Sequence, residues 1–223
     1  AIDLPEGKNL VGAFYQPKFV LSDVHVLETL PERELKSGWA EAIKHGLIME
    51  ENLLSEFESK RESILSLDPA IAPEIIGRSV AIKADVVSKD ERETLGLRIL
   101  LNYGHTIGHA IEVSTGYETF LHGEAVSIGM TAAAYIGNSL GLMSDAEVMR
   151  QTSILHNYGL PTTCQDLKWE EIRMAMRSDK KTTKGSIQWV LLDKIGNAVT
   201  RRDVSESIIE EAIIKLSTTN TSK

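Results

Sequence analysis

The apolar positions of this chain fall mostly at helical spacing. Between residues 33 and 49, Leu35, Trp39, Ala42, Ile43 and Leu47 recur every three or four residues and share one helix face. Pro31 with Glu32 and Glu34 marks the start, since proline is tolerated in a first turn and early carboxylates suit the dipole. A second helix is expected over 51–65. A third opens at Pro73-Glu74 and runs through Ile75, Ile76, Val80, Ile82, Ala84 and Val87 to a charged break at 89–93. Residues 98–113 read as one strongly apolar helix. Residues 124–140 read as another, whose alanines and glycines let helices pack closely. Ser144 caps a helix to about Tyr158, which Gly159 stops. A short helix is expected over 169–177, and Ser205 caps a last one to about Leu216.

Extended structure is expected in two places. Residues 8–14 and 18–23 carry β-branched and aromatic side chains punctuated by Gly12 and Pro17, as in one or two short strands. Residues 186–192 form a strand that turns at Gly196-Asn197 and returns through 198–200. The pattern is therefore mainly α. So few strands need partners, and Ala1-Ile2-Asp3 carries no initiator methionine, so the chain reads as starting mid-protein with the rest of a sheet upstream.

Composition narrows the function classes. The chain has 223 residues, 42% hydrophobic and 25% charged, as in an ordinary globular protein. A net charge of -8 disfavours a nucleic-acid phosphate backbone as partner. A single cysteine, Cys164, rules out an intrachain disulfide framework and suits a reducing, cytoplasmic compartment. No apolar run is long enough to span a bilayer, so no membrane partner is expected.

The candidate chemistry is densest in 102–112. His105 and His109 sit four apart on one expected helix face, and His122 follows shortly after. Neutral imidazole is the commonest metal ligand, and two or three with one carboxylate make an open catalytic site. Spacing alone suggests His105 and His109 as a metal pair. The carboxylate candidates are Glu41, Glu93, Glu112 and Glu124. Glu41 is the most telling, because it lies mid-helix among Trp39, Ala40, Ala42 and Ile43, where a carboxylate needs a partner charge or a metal. Lys44, Lys83, Arg98 and Lys180-Lys181 supply cations that suit an anionic small molecule.

Several blocks occur together in order: Lys8-Asn9-Leu10, Leu27-Glu28-Thr29-Leu30-Pro31, Trp39-Ala40-Glu41-Ala42-Ile43-Lys44, Lys83, Glu91-Arg92-Glu93, the run from Arg98 through Asn102-Tyr103-Gly104-His105-Thr106-Ile107-Gly108-His109-Ala110, His122-Gly123-Glu124-Ala125, and Asp179-Lys180-Lys181. This set resembles the 3-dehydroquinate synthase family. The Asn-aromatic-Gly-His-Thr-x-Gly-His-Ala block is its most specific part. The resemblance implies a helical C-terminal metal- and substrate-binding domain over 31–223. Residues 1–30 would be terminal strands of an α/β NAD-binding domain otherwise absent from the sequence.

By resemblance, the metal ligands are Glu41, His105 and His122, which leaves His109 for proton transfer or phosphate contact. The same resemblance assigns Lys44, Lys83, Arg98, Asn102, Asn9 and Lys180 to substrate, with Glu93 orienting the cluster, and Lys8 with Val26, Leu27, Glu28 and Thr29 to NAD. It implies NAD and zinc or cobalt as cofactors, and a homodimer of the full-length enzyme. The implied reaction takes 3-deoxy-D-arabino-heptulosonate 7-phosphate to 3-dehydroquinate and phosphate, in the shikimate pathway of aromatic amino acid biosynthesis. Its steps are transient oxidation by NAD, phosphate elimination, reduction and aldol closure. The family's glycine-rich pyrophosphate loop is missing, so the chain alone is not expected to hold NAD tightly. The rival readings are a related cyclase making an inosose or a valiolone, a polyol dehydrogenase of the glycerol dehydrogenase type, and an inactive isolated helical fragment.

Overall fold

The structure, a computed structural model, describes residues 2–4, 7–13, 15–179 and 187–217; of these, the side chains of 3, 7–10, 178 and 179 are not described. In chain order the elements are β1 (Ile2–Leu4), β2 (Gly7–Val11), a 3-10 turn (Val24–Thr29), α1 (Glu32–Met49), α2 (Glu51–Ser59), α3 (Arg61–Leu65) and α4 (Ala72–Lys89). A second 3-10 turn (Arg98–Asn102) leads into α5 (His105–Ser114), α6 (His122–Ser139), α7 (Asp145–Asn157), α8 (Trp169–Asp179), β3 (Trp189–Lys194), β4 (Asn197–Arg201) and α9 (Glu206–Ser217). The domain is mainly helical. Its strands form two separate antiparallel pairs, β1 with β2 and β3 with β4.

Helix α6 is central. Ala125, Val126, Ile128, Met130, Ala132, Ala133, Ala134 and Ile136 are all buried, so nearly its whole circumference faces protein. Helices α1, α5, α7 and α9 and strand β3 pack around it. At one end of the core, Trp39, Phe57 and Tyr158 stack edge to face with centroids 5.6–6.5 Å apart. Each such pair contributes about 0.5–1.5 kcal/mol beyond its buried area. The Gly196 amide donates to the Leu47 carbonyl at 2.8 Å, pinning the β3–β4 turn to the end of α1.

Two close approaches bring the site's helices together. A Cβ on residue 129 would lie 2.0 Å from the Gly104 carbonyl oxygen, and one on residue 123 would lie 1.9 Å from that of Ser37. Only glycine admits these contacts, so α6 meets both the start of α5 and the body of α1 main chain to main chain. Gly108 lies beside Ala125 and Val126, and Gly104 beside Met130, so α5 and α6 run antiparallel.

The structure departs from the sequence pattern at four points. Residues 98–113 are not one helix: a 3-10 turn ends at Asn102, Gly104 takes a φ of +79, and α5 begins at His105. The apolar run holds because both halves pack inward, but the backbone cannot continue through a left-handed residue. Residues 51–65 are two helices broken at Lys60. Residues 18–23 form no strand; the earlier strand ends at Val11, and Phe19, Val20 and Leu21 are exposed. The strand expected from 186 begins at Trp189, Ser186 itself lying outside the described residues.

Candidate active site

Three helices supply the cluster. α1 carries Glu41 and Lys44, one turn apart on the same face; α5 begins with His105 and presents His109 one turn on; α6 begins with His122. The ring centroids of His105 and His109 are 5.3 Å apart, those of His105 and His122 are 5.4 Å apart, and those of His109 and His122 are 6.0 Å apart. One ligand atom each from Glu41, His105 and His122 fall within 4.8 Å of one another. A second group, His109, Glu112 and His122, meets the same limit. Among the described residues, His105 and His109 share no such group with each other.

The hydrogen bonds distinguish the two groups. His105 Nδ1 lies 3.1 Å from the Tyr103 carbonyl oxygen, which can only accept, so Nδ1 carries the proton and Nε2 keeps its lone pair. His122 Nδ1 lies 3.2 Å from Glu112 Oε1, a carboxylate 4% exposed, so it too donates through Nδ1. The second group is therefore held together by a proton between His122 and Glu112. The first is not. Glu41 Oε2 accepts from Lys44 Nζ at 2.7 Å, while Glu41 Oε1 is buried with no hydrogen-bond donor among the described residues and lies 3.5 Å from His105 Nε2. Two acceptors facing each other across that gap fit a cation between them.

The electrostatics keep the donors ready. Burial, helped by the Lys44 charge, pushes the His105 imidazole down to about 4, so it is neutral at pH 7. Burial opposes the charge on Glu41, but Lys44 and His105 hold its carboxyl below the usual range. Lys44 is 1% exposed, and burial lowers its ammonium pKa although Glu41 opposes the shift. Tyr103, whose carbonyl fixes His105, is itself anchored: its hydroxyl donates to Gln151 Oε1 at 2.8 Å, and Gln151 Nε2 donates to the Met130 carbonyl at 2.8 Å.

Lys83 is exposed on α4, close enough that its charge acts on Lys44 and His45. Arg98 and Asn102 open and close the 3-10 turn that leads into α5. Glu93 is exposed and pairs with Arg98 Nε at 3.2 Å. Glu124 is not a ligand: both its oxygens accept from Arg33, at 2.7 Å each, and Oε2 also takes the Leu121 amide at 2.9 Å. Val26, Glu28 and Thr29 are exposed on the first 3-10 turn, whereas Leu27 is half-buried and lines a cavity of about 220 Å³ with Trp39, Glu41 and Ile76. Lys180 lies outside the described residues, as do the side chains of Lys8 and Asn9 on β2.

The 3-dehydroquinate synthase C-terminal family model matches residues 38–182, and the 3-dehydroquinate synthase N-terminal model matches residues 1–37. The chain belongs to the 3-dehydroquinate synthase family. Curated family members described as 3-dehydroquinate synthase, from Picosynechococcus sp. and Shewanella pealeana, are each 46% identical to it over 95% and 96% of its length. The one from Methylacidiphilum infernorum is 46% identical over 94%. The chain spans 56–59% of the length of these relatives. Among solved structures, 2-epi-5-epi-valiolone synthase from Streptomyces hygroscopicus, with NAD+ and Zn2+ bound, superposes with a TM-score of 0.87 at 27% identity, over 96% of this chain and 60% of that one. A 2-deoxy-scyllo-inosose synthase complexed with carbaglucose-6-phosphate, NAD+ and Co2+ superposes at 0.78 with 28% identity, over 96% of this chain and 61% of that one.

Sequence reasoning named Glu112 only as one more ligand candidate and missed its hold on His122. The signal was present, because a carboxylate in an otherwise apolar helix after two histidines needs a partner. It also passed over Asp90, which looks like part of a solvated run of charges.

Proposed function

We propose that this chain forms the metal- and substrate-binding half of a 3-dehydroquinate synthase, acting on 3-deoxy-D-arabino-heptulosonate 7-phosphate in the cytoplasm as a homodimer. The observation that carries this reading is the buried, donor-less Glu41 Oε1 opposite His105 Nε2, with Lys44 on the other oxygen of the same carboxylate. The greater identity to 3-dehydroquinate synthases, 43–46%, than to the inosose and valiolone cyclases, 27–30%, favours this substrate over theirs.

Glu41, His105 and His122 would hold a divalent cation, zinc or cobalt. When bound, the cation supplies Lewis acidity at neighbouring hydroxyls, and NAD supplies a hydride acceptor that is regenerated within the cycle. The chain's own residues do the rest. Lys44 holds Oε2 of Glu41 at 2.7 Å, which leaves Oε1 for the cation, and its ammonium would also meet the substrate. Arg98, held by Glu93, offers a planar fork to a carboxylate or phosphate. Lys83, Asn102, Asn9 and Lys180 would complete the polar lining. His109, one turn beyond His105, would pass a proton to the departing phosphate. Positioning of both anionic ends in this way can supply several kcal/mol of barrier reduction.

For NAD the described residues offer an edge only. Val26, Leu27, Glu28 and Thr29 present one small exposed turn, and the sequence contains no Gly-x-Gly-x-x-Gly loop to cradle a pyrophosphate. In this reading residues 1–30 belong to the NAD-binding domain and 31–223 to the helical one. The exposed Tyr15, Phe19, Val20 and Leu21 support that division. The test is phosphate release from the heptulosonate phosphate by the complete enzyme carrying this chain, with and without a chelator. Chelator-resistant release, or turnover of a hexose phosphate in its place, would refute the assignment.

A further inference from the structure

Asp90 follows the last residue of α4, and its own amide donates to the Val86 carbonyl at 3.0 Å. A carboxylate at a helix C-terminus is disfavoured by the dipole, so something must offset it. The offset is a set of four backbone amides. Thr94 and Leu95 donate to Oδ1 at 2.8 and 3.0 Å; Leu97 and Arg98 donate to Oδ2 at 2.8 and 3.1 Å. The Glu93 amide adds a bond to the Asp90 carbonyl at 3.3 Å. Asp90 is 2% exposed, yet residues 91–97 that wrap it are all exposed, so no apolar burial holds the loop in shape. Glu93, at φ +55, takes a left-handed conformation that a residue with a side chain rarely adopts, and Gly96, at φ +75, takes another that glycine accepts without steric cost.

This loop delivers Arg98. The Arg98 side chain donates from Nη1 to the Glu91 carbonyl at 3.0 Å and pairs through Nε with Glu93 at 3.2 Å, so both of its anchors lie within the loop that Asp90 ties. The Arg98 amide is the last of the four bonds. The turn it begins packs on α1 and α4 and ends three residues before His105.

We propose that Asp90 is a positioning residue for substrate binding: its buried carboxylate sets the 91–98 loop in the one shape that presents the Arg98 guanidinium, on its Glu91 and Glu93 anchors, to an anionic group of the substrate. Asp90 touches no substrate itself. The inference rests on the role given to Arg98 above. Because the Asp90 carboxylate bonds backbone amides of residues 94–98, and no hydrogen bond or ion pair among the described residues joins it to Glu41, His105 or His122, its removal acts on anion binding and leaves the metal centre intact.

The experiment compares Asp90→Asn, Arg98→Ala and the double variant in the complete enzyme carrying this chain. Asparagine keeps the shape and one acceptor oxygen but cannot take all four amides. Asp90→Asn raises KM for the heptulosonate phosphate about tenfold, with a smaller change in kcat and unchanged metal content. The double variant is no worse than Arg98→Ala, because the aspartate acts through the arginine. Hydrogen exchange of the Thr94, Leu95, Leu97 and Arg98 amides speeds up in Asp90→Asn while α1, α5 and α6 stay protected. Retained protection of those four amides overturns the proposal whatever Arg98 does. So does a KM within twofold of the parent when Arg98→Ala raises it, or a double variant in which the two losses multiply. If Arg98→Ala leaves KM unchanged, the substrate role of Arg98 falls and the proposal falls with it, while phosphate release by the parent enzyme still upholds the broader reading.

Discussion

Glu41 Oε1 and His105 Nε2 face each other across 3.5 Å as two acceptors. The Tyr103 carbonyl holds the imidazole proton on the far nitrogen, and Lys44 occupies the other oxygen of the carboxylate. Neither group can turn to satisfy the other without giving up a partner it already has.

That pairing predicts which side chains set metal content. His105→Ala, His122→Ala and Glu41→Gln each bring bound zinc from about one per chain to near none, whereas His109→Ala keeps it and slows turnover. Metal analysis of the purified variants decides the matter, and stoichiometric zinc in His105→Ala would sink the ligand assignment.

Glu112→Gln keeps the bulk of the side chain but weakens its hold on the His122 ring. Loss of such an outer partner typically lowers metal affinity about 10–100-fold. Competition with a chromophoric chelator reads this directly. An unchanged affinity would mean that Glu112 only fills space.

Acid should weaken the fold between pH 6.5 and 4. His45 is 5% exposed, with Nδ1 2.7 Å from Ser79 Oγ, and burial followed by the Lys44 charge pushes its imidazole down to about 4. His105 behaves the same way. A histidine whose folded pKa is depressed binds its proton better unfolded, so stability is fully present above 6.5 and is lost as pH falls toward 4. The loss is on the order of 3 kcal/mol per group at most. In metal-free protein, His45→Gln should flatten part of the slope of Tm against pH across this window; an identical slope would remove His45 as its cause.

Gly129→Ala forces a methyl group onto the Gly104 carbonyl. Overpacking of this kind costs about 1–3 kcal/mol, and with backbone on the other side the upper end applies. Because the strain is relieved only by parting α5 from α6, zinc affinity should fall together with Tm. A variant with a lower Tm and full metal affinity would show that the helices separate elsewhere.

Much of this was legible in the sequence. Helix α1 was readable because Pro31, the early glutamates and the apolar spacing all agree. The three histidines were readable by type, and Glu41 by its apolar surroundings. The His105–His109 spacing puts both residues on one face, but among the described residues each joins a donor group with His122 of α6, His105 with Glu41 and His109 with Glu112, and not with the other. Residues 98–113 looked like one helix because the apolar period survives the break at Gly104. Residues 18–23 have strand-like composition, but among the described residues no strand pairs with them. Asp90 was hidden because a buried carboxylate that takes only backbone amides leaves no mark on side-chain patterns.

The main-chain contacts of α6 with α1 and α5 have a mechanical consequence. With no layer of compliant side chains at the Gly129–Gly104 and Gly123–Ser37 crossings, the three helices carrying Glu41, His105 and His122 behave as one stiff block. Such a block does not open by sliding one of these helices against another. Movement beside the block then falls to parts tied by polar bonds rather than backbone contact, and the 91–98 loop is one of them.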